Sequence, residues 1–147
     1  MRRINGRQRT VLLFGAAVLF LVLITIAGQV LFKAAVVTDF SRKDRPPCLE
    51  YLFGTDWMGR DMFVRTLTGL SMSIRIGLLA AGVSALLALL LGIISATMGR
   101  TVDSVVTWVI DLVMGIPHIL LLILISYACG KGFKGVVIGV SLTHWTS

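Results

Sequence analysis

Two aspartates, two arginines and three glycines crowd into the stretch that runs from Phe53 to Ser73. It reads Phe53-Gly54-Thr55-Asp56-Trp57-Met58-Gly59-Arg60-Asp61, then Met62-Phe63-Val64-Arg65, and continues to Gly69. It lies in a polar segment between two long apolar runs. Glycine reaches backbone angles that other residues avoid. Asp–Arg pairs hold shape through charge-assisted hydrogen bonds. A cassette of this kind between hydrophobic runs predicts a specified structure, not a spacer. Two further ionisable residues stand inside an apolar run: Asp111, and His118 seven positions later. Their spacing puts them on nearly one helix face but about 10 Å apart along the axis, too far for direct pairing. Such residues read either as a proton relay or substrate-pathway site, or as a packed carboxylate bonded to a neighbouring helix. Trp57, Met58 and Cys48 admit soft-metal contact. They carry no ligand spacing, and an interfacial position for Trp57 and Met58 is the plainer expectation.

The elements that must position these residues are membrane helices. The chain is 56% hydrophobic and 14% charged, about half the charge of an ordinary soluble domain. Residues 10–32 and 76–99 carry no charge, and 104–130 carry only Asp111. At about 1.5 Å per residue, each run exceeds the ~30 Å hydrocarbon core. A fourth apolar run, 135–147, is too short to cross, so the sequence is expected to stop inside a helix and to be a fragment. The order is a basic tail (1–10), span one (11–32), a polar loop (33–75), span two (76–98), a linker (99–104), span three (105–129), a turn (130–134) and the start of span four (135–147). This is an all-α integral membrane protein.

The net charge of +7 comes from residues that flank spans, such as Arg2, Arg3, Arg7 and Arg9. Membrane flanking explains them better than nucleic-acid binding, since no soluble basic domain is present. The first run is long for a signal peptide and lacks a clear small-residue cleavage site, so an uncleaved span is expected. Lys33, Arg42, Lys43 and Arg45 after span one balance the basic tail before it, and charge alone leaves orientation tied. Cys48 and Cys129 belong to no metal or redox spacing; they read as two unpaired thiols, with a disulfide between them conceivable.

Within the loop, Phe63, Leu67, Leu70 and Ile74 mark one apolar face of a helix. Asp61 and Arg65, acid first at i and i+4, support it. The cassette is therefore expected to begin as a turn at Gly54-Thr55-Asp56 and continue as an amphipathic helix leading into span two. Span two carries Ala80, Ser84, Ala88, Gly92 and Ala96, each four apart. Span four begins with Gly135, Gly139 and Thr143. Small residues at this spacing let helices approach closely in lipid. Spans two and four are thus expected inside a bundle and the bulkier span one at its periphery. Pro117, with Gly115 beside it, frees a carbonyl and is expected to kink span three.

The pattern Gly54-Thr55-Asp56-x-x-Gly59-Arg60-Asp61-x-x-x-Arg65, followed by Gly69 and Ser73, resembles the segment after the first span in permease subunits of dipeptide/oligopeptide/nickel-type ABC importers. Asp103, Asp111 and Pro117 are similar to that family's Asp…Asp…Pro order through the third span. Trp145 is similar to the tryptophan before its cytoplasmic docking loop, a loop this sequence does not reach. Val64, Ser71 and Trp108 depart from the pattern, the last removing an arginine that often precedes the Asp111 position. The resemblance implies the N-terminal part of a six-span type I importer transmembrane domain, with the tail and the 99–104 linker cytoplasmic and the 33–75 loop and 130–134 turn extracytoplasmic. It also implies a second permease subunit, two ATP-binding subunits and an extracytoplasmic substrate-binding protein as partners. ATP and Mg would sit on those partner subunits and no cofactor on this chain, which has no Gly-x-x-x-x-Gly-Lys-Ser/Thr loop. The function implied is a non-enzymatic permease subunit for peptides or nickel and other metal complexes in a prokaryotic cell (inner) membrane. The alternatives are a proton-coupled carrier or channel using Asp111 and His118, and a nonfunctional permease fragment.

Overall fold

A computed structural model describes residues 6–146. Arg2 and Arg3 of the basic tail and Ser147 at the other end lie outside the described residues. The elements are helix α1 (Gly6–Val30), a short α2 (Phe32–Val36), a 3-10 turn (Phe40–Arg42), and then the long α3 (Met62–Thr97), α4 (Arg100–Gly115), α5 (His118–Ala128) and α6 (Phe133–His144). No strand occurs among the described residues, only an isolated bridge between Thr55 and Asp61. The chain divides into two compact units, Met1–Arg75 and Ile76–Ser147, and the boundary falls within α3.

In the first unit, α1 meets the start of α3 at a close crossing. Gly28 is buried against Ser71, and a Cβ at Gly28 would come within 2.6 Å of the Leu67 carbonyl oxygen. Ser71 is 2% exposed, and its hydroxyl donates to the Thr25 carbonyl at 2.8 Å. Span one therefore does have a small-residue contact, made by one glycine where no repeated stripe exists. A small hydroxyl at Ser71 lets the two backbones approach, which a long side chain would prevent.

The amphipathic stretch and span two are one unbroken helix. At 36 residues, α3 is about 54 Å long, well beyond the ~30 Å apolar core, so its first turns have length to spare outside it. Asp61 starts it, accepting hydrogen bonds from the backbone N–H groups of Phe63 (2.8 Å) and Val64 (3.3 Å). This is N-capping, which stabilises a helix start by about 1 kcal/mol.

Span three departs furthest from expectation. The continuous helix expected over 105–129 is broken into α4 and α5, which are bent by 98°. Ile116 and Pro117 are both extended, with ψ of 134° and 118°. Pro117 lacks the N–H that would bond the Val113 carbonyl, and its ring disfavours helix at Ile116. With Gly115 loosening the same turn, the kink becomes a full break. The 16 residues of α4 and 11 of α5 reach about 24 and 16 Å, each short of a crossing. α4 also begins earlier than expected, at Arg100, directly after Gly99, so most of the 99–104 linker is helical.

In the second unit, α6 packs through its small residues: Gly135, Gly139, Ser141 and Thr143 are all buried. Ser84 of α3, also buried, donates to the Ser141 carbonyl at 3.0 Å. Ala80 is buried too, whereas Ala88, Gly92 and Ala96 further along the same stripe are exposed. Cys48 and Cys129 are both free and exposed.

Candidate functional site

The cassette folds into a compact knot with the loop segment before it. Asp56 is its hub. One carboxylate oxygen accepts from the backbone N–H groups of Met58 (2.9 Å) and Arg60 (3.0 Å). The other accepts from Arg60 Nε at 2.8 Å and pairs with Arg60 Nη2 at 2.7 Å. This two-pronged grip fits the fork geometry of guanidinium. It holds the Asp56 carboxyl down at about 2, from an ordinary 3.8. The side-chain bond from Arg60 is the main cause, and the two backbone donors assist it.

Arg65 adds a second cation, with Nη1 3.9 Å from the same Asp56 oxygen. The sequence spacing paired Arg65 with Asp61 instead. The structure corrects this: Asp61 is occupied with the helix N-terminus, and Arg65 turns back toward Asp56.

Thr55 ties the cassette to the preceding segment. Its backbone N–H donates to the Arg45 carbonyl at 3.0 Å, and its hydroxyl accepts from the Arg45 N–H at 2.9 Å. The same hydroxyl donates to the Arg42 carbonyl. Further along, Asp44 N–H bonds the Asp56 carbonyl and Asp39 N–H bonds the Met58 carbonyl. The two glycines serve the turns. Gly59 has φ +73°, and a Cβ there would strike the Asp39 backbone; Gly54 has φ +70° and lies against the Arg45 carbonyl. Gly59→Ala combines a left-handed backbone angle with a backbone clash and is expected to destabilise the knot by about 2–4 kcal/mol. A fall in the denaturation midpoint of the purified chain, read by Trp fluorescence, checks this.

The knot has a second half that the sequence pattern did not reveal. Asp39 accepts from the Ser41 N–H and hydroxyl and pairs with Arg42 Nε at 2.7 Å. The Ser41 bonds hold its carboxyl below the usual range, with Arg42 contributing. Arg42 also donates to the Tyr51 hydroxyl at 3.0 Å, which in turn donates to Glu50 at 2.9 Å. Tyr51 is buried. The Asp39-x-Ser41 turn was the one local signal available; the reach from Arg42 to Tyr51 follows no helical or strand period. Trp57 stands 63% exposed, and Phe53 packs edge-on to Phe63 at 5.3 Å.

The remaining motif residues lie outside the knot. Gly69 sits on α3 with open space where a Cβ would be, so nothing in this chain's packing demands glycine there. Asp103, in the first turn of α4, accepts from the Ser95 hydroxyl near the end of α3. Together they close the corner made at Gly99, beside a cavity of about 320 Å³ that Trp145 also lines. Asp111 is exposed and makes no hydrogen bond or ion pair among the described residues. Pro117 forms the break, and His118 packs against His144 with ring centroids 4.9 Å apart.

With no strand among the described residues and two helices there long and apolar enough to cross a membrane, or three if the bent pair is one span, the chain is a multi-pass integral membrane protein. No protein-family model matches the chain. It is 30% identical over 128 residues to the dipeptide transport system permease protein DppC of Bacillus subtilis, covering 86% of this chain and 40% of that protein. It is 35% identical over 108 residues to the oligopeptide transport system permease protein OppC of the same organism, covering 74% and 35%. Against the DppC of Lactococcus lactis it is 34% identical over 97 residues, covering 66% and 28%. The chain belongs to this family of dipeptide and oligopeptide transport permeases, proteins of the prokaryotic cell membrane. It spans 28–40% of the length of these relatives.

Proposed function

We propose that this chain forms part of a permease subunit in an ATP-driven peptide importer, supplying pathway wall and an outer loop. The observation that carries the reading is the kinship with dipeptide and oligopeptide permeases over 66–86% of the chain. Peptides are favoured over nickel or other metal complexes as cargo because these relatives are peptide permeases. In this reading a second permease subunit, two ATP-binding subunits carrying ATP and Mg, and an extracytoplasmic substrate-binding protein complete the machine. ATP-driven closure of the nucleotide subunits rearranges the permease helices, and substrate released outside passes inward.

The knot suits the outer face. It is dense with hydrogen bonds, fixed to the start of α3, and separated from the apolar part of that helix by amphipathic turns. A rigid loop transmits a push or a docking event to the helix it caps; a slack one absorbs it. No observation favours a proton relay, since Asp111 is unpartnered among the described residues and His118 packs on His144.

The test places Arg60→Ala and Asp61→Ala at the chromosomal locus of cells whose only peptide uptake runs through this system. Uptake of a labelled dipeptide is expected to fall at least tenfold in each. Wild-type uptake in both overturns the role given to the knot. Uptake that survives ATP depletion but stops when the proton gradient is collapsed overturns the ATP-driven reading.

A further inference from the structure

We propose that His118 and His144 form a two-imidazole site for a divalent transition-metal ion such as Zn²⁺ or Cu²⁺. This inference is independent of the transport reading. The two histidines come from different helices, His118 from the first position of α5 and His144 from the last of α6. Their ring centroids lie 4.9 Å apart with planes at 71°. That distance is the one a shared ion requires. With metal–nitrogen bonds of about 2.0–2.1 Å and a tetrahedral angle, two imidazoles on one ion place their centroids about 5 Å apart.

The surroundings suit a cation bound by nitrogen and completed by water. His118 lines a cavity of about 420 Å³ together with Met114, Gly115, Pro117, Thr143 and Thr146. Among the described residues, no lysine, arginine, aspartate or glutamate lines it. Two helix C-termini end here, that of α4 at Gly115 and that of α6 at His144, and C-terminal carbonyls carry partial negative charge. Pro117 offers no N–H to the last turn of α4, which leaves carbonyl oxygen available there. The Thr143 and Thr146 hydroxyls donate to the Gly139 and Thr143 carbonyls at 3.0 and 3.2 Å. Their lone pairs are left to accept from metal-bound water. Imidazole nitrogen with water selects Zn²⁺ or Cu²⁺ over Mg²⁺ or Ca²⁺, which prefer oxygen. A bound ion ties the start of α5 to the end of α6, beside the break at Pro117.

The experiment uses the whole 147-residue chain, free of any polyhistidine tag and carrying Cys48→Ser and Cys129→Ser to remove thiolate ligands. The chain is titrated in detergent micelles with Cu²⁺ and followed by electron paramagnetic resonance; Zn²⁺ is titrated against a chromophoric chelator. One ion per chain is expected, with nitrogen coupling from two imidazoles. Affinity should fall at least tenfold in His118→Ala and in His144→Ala, each leaving one coupled nitrogen and unchanged helicity. Absence of stoichiometric binding, or binding and nitrogen coupling that persist in the double substitution, overturns the site. Equal binding of Mg²⁺ overturns the selectivity.

Discussion

Asp56→Ala is expected to open the loop knot and cut peptide uptake at least tenfold, the largest effect of any single side-chain deletion in the cassette. Four hydrogen-bond donors converge on this carboxylate: the N–H groups of Met58 and Arg60, and two nitrogens of the Arg60 guanidinium. Arg65 stands 3.9 Å away. Truncation leaves these donors without an acceptor and two cations close together without an anion between them. Leaving a partner unsatisfied costs more than the bond itself contributes. Trypsin reads the outcome directly, because Arg42 and Lys43 lie in the segment that the cassette clasps. Cleavage there should speed up at least tenfold in Asp56→Ala. Asp56→Asn keeps an oxygen for the backbone donors but loses the charge that grips Arg60, so its rate should fall between the two. Equal rates in all three chains would show that the hub does not hold the loop.

The same carboxylate fixes the pH response. Its pKa is lowered from 3.8 to about 2, chiefly by the Arg60 side chain, so the folded knot favours the ionised form. Its contribution is therefore complete above about pH 4 and fades as pH falls through about 2. Protease sensitivity, measured with an acid-tolerant protease, should stay flat from pH 7 to about 4 and rise only below that. A rise centred near pH 6 would point to histidine and not to this hub.

How much of this was legible in the sequence depends on the range of each interaction. Asp56 and Arg60 sit four residues apart and meet in one turn, and the apolar runs that become α1 and α3 announce themselves by composition. That a helix follows the cassette was legible from Phe63, Leu67, Leu70 and Ile74, and Asp61 stands at its start, although Leu70 is exposed. What spacing could not decide was competition. Asp61 had two possible duties, Arg65 or the free N–H groups, and the choice depends on Asp56 reaching Arg65 from outside the helix. Arg42 with Tyr51, and His118 with His144, are brought together by turns whose geometry no periodicity encodes. Pro117 was visible as a perturbation; its depth was not. Proline in an apolar helix yields a kink where neighbouring groups take up the freed carbonyl and a break where the chain turns away, and only the fold distinguishes these.

The contact of α5 with α6 supports the second large expectation, a difference in size between the penalties at two glycines on one stripe. Gly→Ala inside a helix ordinarily stabilises by about 1 kcal/mol. At Gly135 the new methyl would meet the carbonyl oxygens of Gly130 and Ser126, with the Gly130 carbonyl carbon at 3.1 Å. These are backbone atoms and cannot rotate aside, so the helices must separate. Gly135→Ala should destabilise the detergent-solubilised chain by about 2–3 kcal/mol, read as a lower unfolding midpoint. At Gly139 the nearest atom is the Ser126 hydroxyl at 2.5 Å, the end of a side chain, with the Leu122 carbonyl oxygen at 3.1 Å. That hydroxyl is buried and has no hydrogen-bond partner among the described residues, so turning it away sacrifices no bond. Gly139→Ala is therefore expected to cost less than about 1 kcal/mol, and Ser126→Ala should lower that cost further. Ser126→Ala should leave the Gly135→Ala penalty intact, because the obstacle there is main chain. Equal penalties at the two glycines, or rescue of Gly135→Ala by Ser126→Ala, would mean that α5 and α6 do not pack backbone to backbone at this stripe.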